Sequence, residues 1–255
     1  MEFLQSTFEE IIESERLMLL TAEDRYGKFY KNARVCSMFL SRCVTEVDHD
    51  RMMFGRFFAL MKKHHMLALL SIIRLHKVQA MMNLRQVLEA GAAAAFAIAN
   101  PEQHHFAETD EQGLLDPTQE LTKKRYKWLH ENYRLKSDWI KGTKERINVS
   151  AAHANIVSSG SAFRVAETGD LINVPFFDIE DQYFVKADLW QTASIALTLM
   201  DLFYGVNKER NVIAFYPDFA NSLGRLAQET DALLAEMKAA DRFKRGLAKF
   251  GLPDS

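Results

Sequence analysis

Apolar positions along the chain recur mostly at spacings of three and four, the period of a helix that buries one face. Ser6 with Glu9 makes a capping-box pattern, and Phe8, Ile11, Ile12, Met18 and Leu19 extend it into an apolar stripe, which predicts a first helix. Thr21 with Asp24 repeats the start signal. Tyr26, Phe29, Tyr30, Ala33, Cys36, Leu40, Val44 and Val47 then hold the 3.6-residue period, so a second helix is expected through about Val47. From Asp50 to Ala99 there is no proline, and Gly55 and Gly91 are the only glycines. Unbroken, that stretch would be about 75 Å long, too long for a compact domain. A break is expected in the Lys62 to His65 cluster, giving helices over 50–62 and 66–99, with Asn100-Pro101 as the stop.

Residues 101–116 are polar and carry Gly113, and read as a connection. Asp116-Pro117 predicts the next helix, with the aspartate as cap and the proline at the first position, running to about Tyr133. A short helix after Ile147 carries Ser150 and His153. Between 162 and 176 the period changes to alternation: Phe163 and Val165, then Ile172, Val174 and Phe176, around Glu167-Thr168-Gly169-Asp170. A small hairpin is expected there, its second strand made an edge by Pro175. From about 180 to 206 the chain is apolar nearly all round, as a central helix would be. Beyond Pro217, the residues Phe219, Leu223, Leu226, Thr230, Leu233 and Met237 form a heptad seam that can pack on the bundle or on a second copy. The fold class is therefore mostly α, a helical bundle with a small β-hairpin at about 162–176. One domain is expected over 1–255, with a core over 22–206 and a C-terminal helix over 217–244; the 101–116 connection is the alternative boundary.

Composition agrees with this. Of 255 residues 11 are glycine and 5 proline, well below average usage, so sharp turns are few. With 48% hydrophobic and 26% charged residues and a net charge of -2, the chain is not of the disordered class. Glu2 and the run of Glu9 to Glu15 stand where a signal peptide would carry a basic flank, and the apolar run Gly91–Ala99 is too short to span a bilayer, so a cytoplasmic protein with no membrane partner is expected. Cys36 and Cys43 lie seven residues apart on one predicted helix, about 10.5 Å along its axis, too far for a disulfide. Buried free thiols are expected.

Glycine-rich phosphate loops, CxxC pairs and HExxH helices are absent. The doublets His64-His65 and His104-His105 point about 100° apart on a helix and make no ready ligand pair, so no metal or cofactor is expected. Charge is uneven: between Lys123 and Arg146 nine basic residues face three acidic ones, a local +6. Lys123, Lys124, Arg125 and Lys127 are interleaved there with Tyr126 and Trp128, and Tyr133 and Trp139 follow. Cations among aromatic platforms can hold single-stranded RNA; a solvated helix face over core aromatics is the competing explanation.

This stretch ends in Arg146-Ile147-Asn148-Val149-Ser150-Ala151-Ala152-His153. On a helix, offsets of four and seven bring Arg146, Ser150 and His153 to one stripe. Histidine as general acid or base, with arginine on the phosphate, would suffice for RNA cleavage without a metal. The Arg-x6-His spacing, together with the helix bearing Leu84-Arg85-Gln86-Val87-Leu88-Glu89-Ala90, resembles the HEPN superfamily over roughly residues 66–205. That resemblance implies an all-helical homodimer with a metal-independent ribonuclease site at Arg146 and His153, of the toxin–antitoxin or phage-defence kind; other members of that superfamily have lost activity. The position after the arginine, usually polar in the family, is Ile147 here.

The competing explanation for the same residues is structural. Arg85 and Glu89 are four apart on an apolar helix and can pair, with Asn148, Ser150 and His153 completing a polar knot. A non-catalytic protein that dimerises or binds a partner or RNA would then result, and an interhelical ligand pocket is a third outcome.

Overall fold

The computed structural model describes residues 2–4, 6–151, 164–165, 171–173 and 175–249. The chain is mostly α-helical, as its periodicity predicts, with a short strand β1 over Glu2–Leu4 ahead of the first helix. Helix α1 (Phe8–Leu20) is capped by Thr7 and Glu10, whose side chains each bind the other's backbone N–H, at 3.3 and 2.8 Å. The capping box thus sits one residue later than the Ser6/Glu9 pair predicted. None of the residues of α1 is buried: Phe8 is 71% exposed, while Met18 of the stripe packs partly buried against the core.

The expected second helix is three elements. Gly27 takes a positive φ of 53° between α2 (Ala22–Tyr26) and α3 (Lys28–Arg42), and the chain after Cys43 leaves the helix for strand β2 (Val44–Val47). Val44 and Val47 fit a helical period, but the β-branched run Val44-Thr45 and Val47 suits a strand, and β2 pairs antiparallel with a later strand at Ile213–Phe215. Cys36 and Cys43 are buried free thiols.

Helix α4 (Met52–Ile73) runs straight through the Lys62 to His65 cluster, where a break was expected, and α5 (Lys77–Ala99) follows after three residues. The turn is at Leu75, which adopts a φ of 58°. A distant segment holds it: the Asp178 N–H donates to the Leu75 carbonyl at 2.9 Å, and the Asp178 carboxylate accepts the Lys77 N–H at 2.6 Å. Asn100 caps α5 at the predicted stop. The 101–116 connection carries a two-stranded hairpin, Glu108–Thr109 with Leu115–Asp116.

Helix α6 (Gln119–Asn132) starts at Thr118, whose hydroxyl accepts the Leu121 N–H, two residues beyond the Asp116 predicted as cap. Helix α7 (Arg134–Ala151) is continuous, so Ser150 belongs to it and not to a separate short helix. The predicted hairpin is present between Arg164–Val165 and Leu171–Asn173, but the second strand is central: Glu2–Leu4 pairs parallel with it on its other side. Pro175 lies past the last paired residue and so does not block that ladder.

Helix α8 (Gln182–Lys208) is the central element, with thirteen buried residues, and α9 (Phe219–Ala239) packs against it and α3, followed by α10 (Asp241–Lys249). All six residues of the predicted heptad seam are the buried ones of α9, so that seam is spent within the bundle. Where α5 crosses α8, a Cβ on Gly91 would stand 2.6 Å from a methyl of the fully buried Leu199, and this small residue sets how closely the two helices approach. Among the described residues no helix is long and apolar enough to cross a membrane.

Candidate functional site

The site is built on α7, which packs against α5 and α6. At about 100° per residue, Ile140, Thr143 and Ile147 share one face of the helix, and they are its buried face, none of them more than 2% exposed. Two polar flanks border that face. Lys144 and Asn148 lie on one; Trp139 and Arg146 lie on the other.

The Lys144 flank closes into a network with α5 and α6. Lys144 Nζ pairs with Glu89 Oε1 at 2.9 Å and donates to the Tyr126 hydroxyl at 2.9 Å. Arg85 donates to the same Glu89 oxygen at 3.2 Å and to Asn148 Oδ1 at 2.8 Å. Burial pushes the Glu89 carboxyl up, but the hydrogen bonds and charges of Lys144 and then Arg85 outweigh it and hold it below the ordinary carboxylate value. Lys144 responds in the matching sense: burial works against its charge, while Tyr126 and Glu89 raise its pKa. The structure therefore brings together Arg85, Glu89 and Asn148, and adds Lys144 and Tyr126, which sequence reasoning did not connect to them.

Arg146 is not part of this group. Its guanidinium folds back over the preceding turn and donates to Thr143 Oγ1 at 2.9 Å. Among the described residues no carboxylate pairs with it. It lines a cavity of about 190 Å³ between α7, α5 and α8, with Trp139, Met81, Trp190, Gln191 and Ser194 among the other walls. The Trp190 N–H is turned away to the Thr230 carbonyl at 3.0 Å, so the polar edge of that ring is satisfied by α9. Little in the sequence marks this wall, since Gln191 and Ser194 are two among several polar residues of α8, with Lys186, Asp188, Thr192, Thr198 and Asp201. Ser150 lies on α7, but its side chain is outside the described residues, as is the whole of His153.

The rest of the basic stretch is largely paired within the chain. Lys124 meets Glu120 at 3.1 Å, Lys127 meets Glu131 at 3.8 Å, and Lys136 meets Asp201 at 2.5 Å. Arg125 donates to Thr122 and covers the Phe106 ring, and Lys123 is exposed. Trp128 packs edge-on against Phe96 and beside Tyr133, half-buried on the core. The rings that bases would stack on are thus largely committed inward.

The two histidine doublets differ: the His104 and His105 rings lie together, 4.1 Å between centroids, whereas His64 and His65 separate, His64 Nδ1 lying 2.7 Å from Asn83 Oδ1. His65 is fully buried, with Nδ1 3.2 Å from Ser37 Oγ and Nε2 3.1 Å from the Thr192 carbonyl, tying α4 to α3 and α8. Burial pulls its pKa down to about 4, which keeps it neutral. The described residues hold no cluster of three or more His, Cys, Asp or Glu suited to a metal ion. Compared with protein-family models, characterised proteins and solved structures, the chain matches none.

Proposed function

We propose that this chain is a non-catalytic helical protein that acts by holding a partner molecule on the face formed by α5, α7 and α8. One observation carries this reading: the polar residues that metal-free phosphodiester chemistry would draw on are divided between opposite flanks of α7. Arg85, Glu89, Lys144 and Asn148 bond one another on one flank, and Arg146, with no carboxylate partner among the described residues, lies on the other. A closed ion network rigidifies its helices and offers no reactive group.

The HEPN-like ribonuclease is the second reading, and one observation favours it: Arg146 has no carboxylate partner among the described residues and faces a concavity, where a phosphate could meet it. Incubation of the full chain with labelled single-stranded RNA in the presence of a chelator separates the two. Binding function predicts intact RNA with the wild type, Arg146→Ala and His153→Ala alike. Cleavage by the wild type that disappears in both variants would overturn it and establish the nuclease.

A further inference from the structure

We propose that the cavity beside Arg146 takes a planar ring carrying one acidic group, a ligand class that rests on the binding function proposed above. Three features of the cavity define that chemistry. First, Arg146 brings a positive charge that none of the described carboxylates neutralises: of the other cations of α6 and α7, Lys124, Lys127, Arg134, Lys136 and Lys144 each have an acid, while Lys123, Arg125 and Lys141, which have none among the described residues, do not line the cavity. One of its N–H groups is spent on Thr143 Oγ1, which anchors the head and leaves further donors for two oxygens of a phosphate or carboxylate. Second, Trp139 and Trp190 come from different helices, α7 and α8, and line the same space as the buried Met81. Two indoles and a thioether select a flat apolar body, and because Trp190 directs its N–H to Thr230, its ring has no polar demand of its own to meet there. Third, Ser194 and Gln191 supply a hydroxyl and an amide from α8, enough to orient one polar group but not to bind a second charge.

Size limits the ligand further. At about 190 Å³ the cavity falls below the roughly 300–1,000 Å³ of sites that take drug-sized molecules. It accommodates a single ring with its acidic group, or that end of a larger molecule.

Titration of the full chain with phenyl phosphate, followed by tryptophan fluorescence, tests this directly, because two of the three tryptophans line the cavity. Phenyl phosphate is expected to bind saturably and at least tenfold more tightly than phenol, which lacks the charge, or inorganic phosphate, which lacks the ring. Benzoate reports whether a carboxylate serves as well as a phosphate, and tighter binding than phenol by either acid supports the class. Arg146→Ala should weaken phenyl phosphate at least tenfold, and Ser194→Phe, which fills the cavity, should abolish the response. Phenol binding as tightly as both acids, or undiminished binding of the acids by Arg146→Ala, overturns the proposal; the arginine variant alone suffices if the phenylalanine variant does not fold. RNA cleavage would remove the binding function without affecting this titration, and a failed titration with intact RNA would remove only the ligand class.

Discussion

Lys144 and Arg146 stand two residues apart on α7, yet Lys144 is fastened to Glu89 and Tyr126 while Arg146, among the described residues, bonds a neighbouring threonine and pairs with no carboxylate. The difference follows from how far each charge is withdrawn from water. Lys144 has 19% of its side chain exposed, so its ammonium needs partners to replace lost hydration. Arg146 is exposed and stays hydrated until something displaces that water. A withdrawn charge is therefore used up in holding helices together, and an exposed one beside a concavity is available to a ligand. His65 shows the third outcome: deep in the core with only a hydroxyl and a carbonyl to bond, it gives up its charge altogether.

The largest expected effect concerns that lost charge. The folded state keeps His65 neutral down to about pH 4, whereas the unfolded chain protonates it near its ordinary value of 6.5. Below pH 6.5 the unfolded state binds the extra proton, so stability falls as pH drops from 6.5 to 4, by about 3 kcal/mol from this group at 1.36 kcal/mol per unit. Urea denaturation of the wild type and His65→Asn across that window checks it: the variant should lose this pH slope, and equal slopes would show that the imidazole is not held neutral. Glu89 acts lower on the scale. Its pKa is depressed on folding, so its contribution is present above the ordinary carboxylate value of 4.5 and is lost as pH falls below it.

Next in size is the network. Lys144→Met leaves the Glu89 carboxylate with Arg85 alone and the Tyr126 hydroxyl without its donor, an expected cost of about 2 kcal/mol in denaturant melts. Glu89→Gln combined with Lys144→Met should cost less than the two single changes together, since each removes the other's unmet charge. Strict additivity would mean that the two side chains do not interact.

Of these arrangements, the ones within a single helix were the legible ones. The α9 seam from Phe219 to Met237 could be read because its period matches its burial, and the Arg85–Glu89 pair because four residues make one turn. Helix starts slipped where two capping residues stand close together, Ser6 beside Thr7 and Asp116 near Thr118. The α4–α5 turn could not be read at all: Leu75 carries no breaker signal, and its left-handed backbone is stabilised by Asp178, some hundred residues away in sequence. The same limit applies to the site. Lys144 meets Tyr126 and Glu89 only because three helices pack, and Trp190, Gln191 and Ser194 reach Arg146 only through the placement of α8.

The smallest expected effect is the one that separates the flanks most sharply. Arg146→Ala removes one hydrogen bond to Thr143 and no ion pair with any described residue, so stability should change by no more than about 0.5 kcal/mol, the range of ordinary surface substitutions. Parallel denaturant melts of Arg146→Ala and Lys144→Met measure the contrast. Similar losses in both would mean that Arg146 holds α7 in place as Lys144 does, and the reason to regard it as available to a ligand would disappear. A near-silent arginine beside a costly lysine would show that, two residues apart on one helix, one cation serves the fold and the other is left for binding.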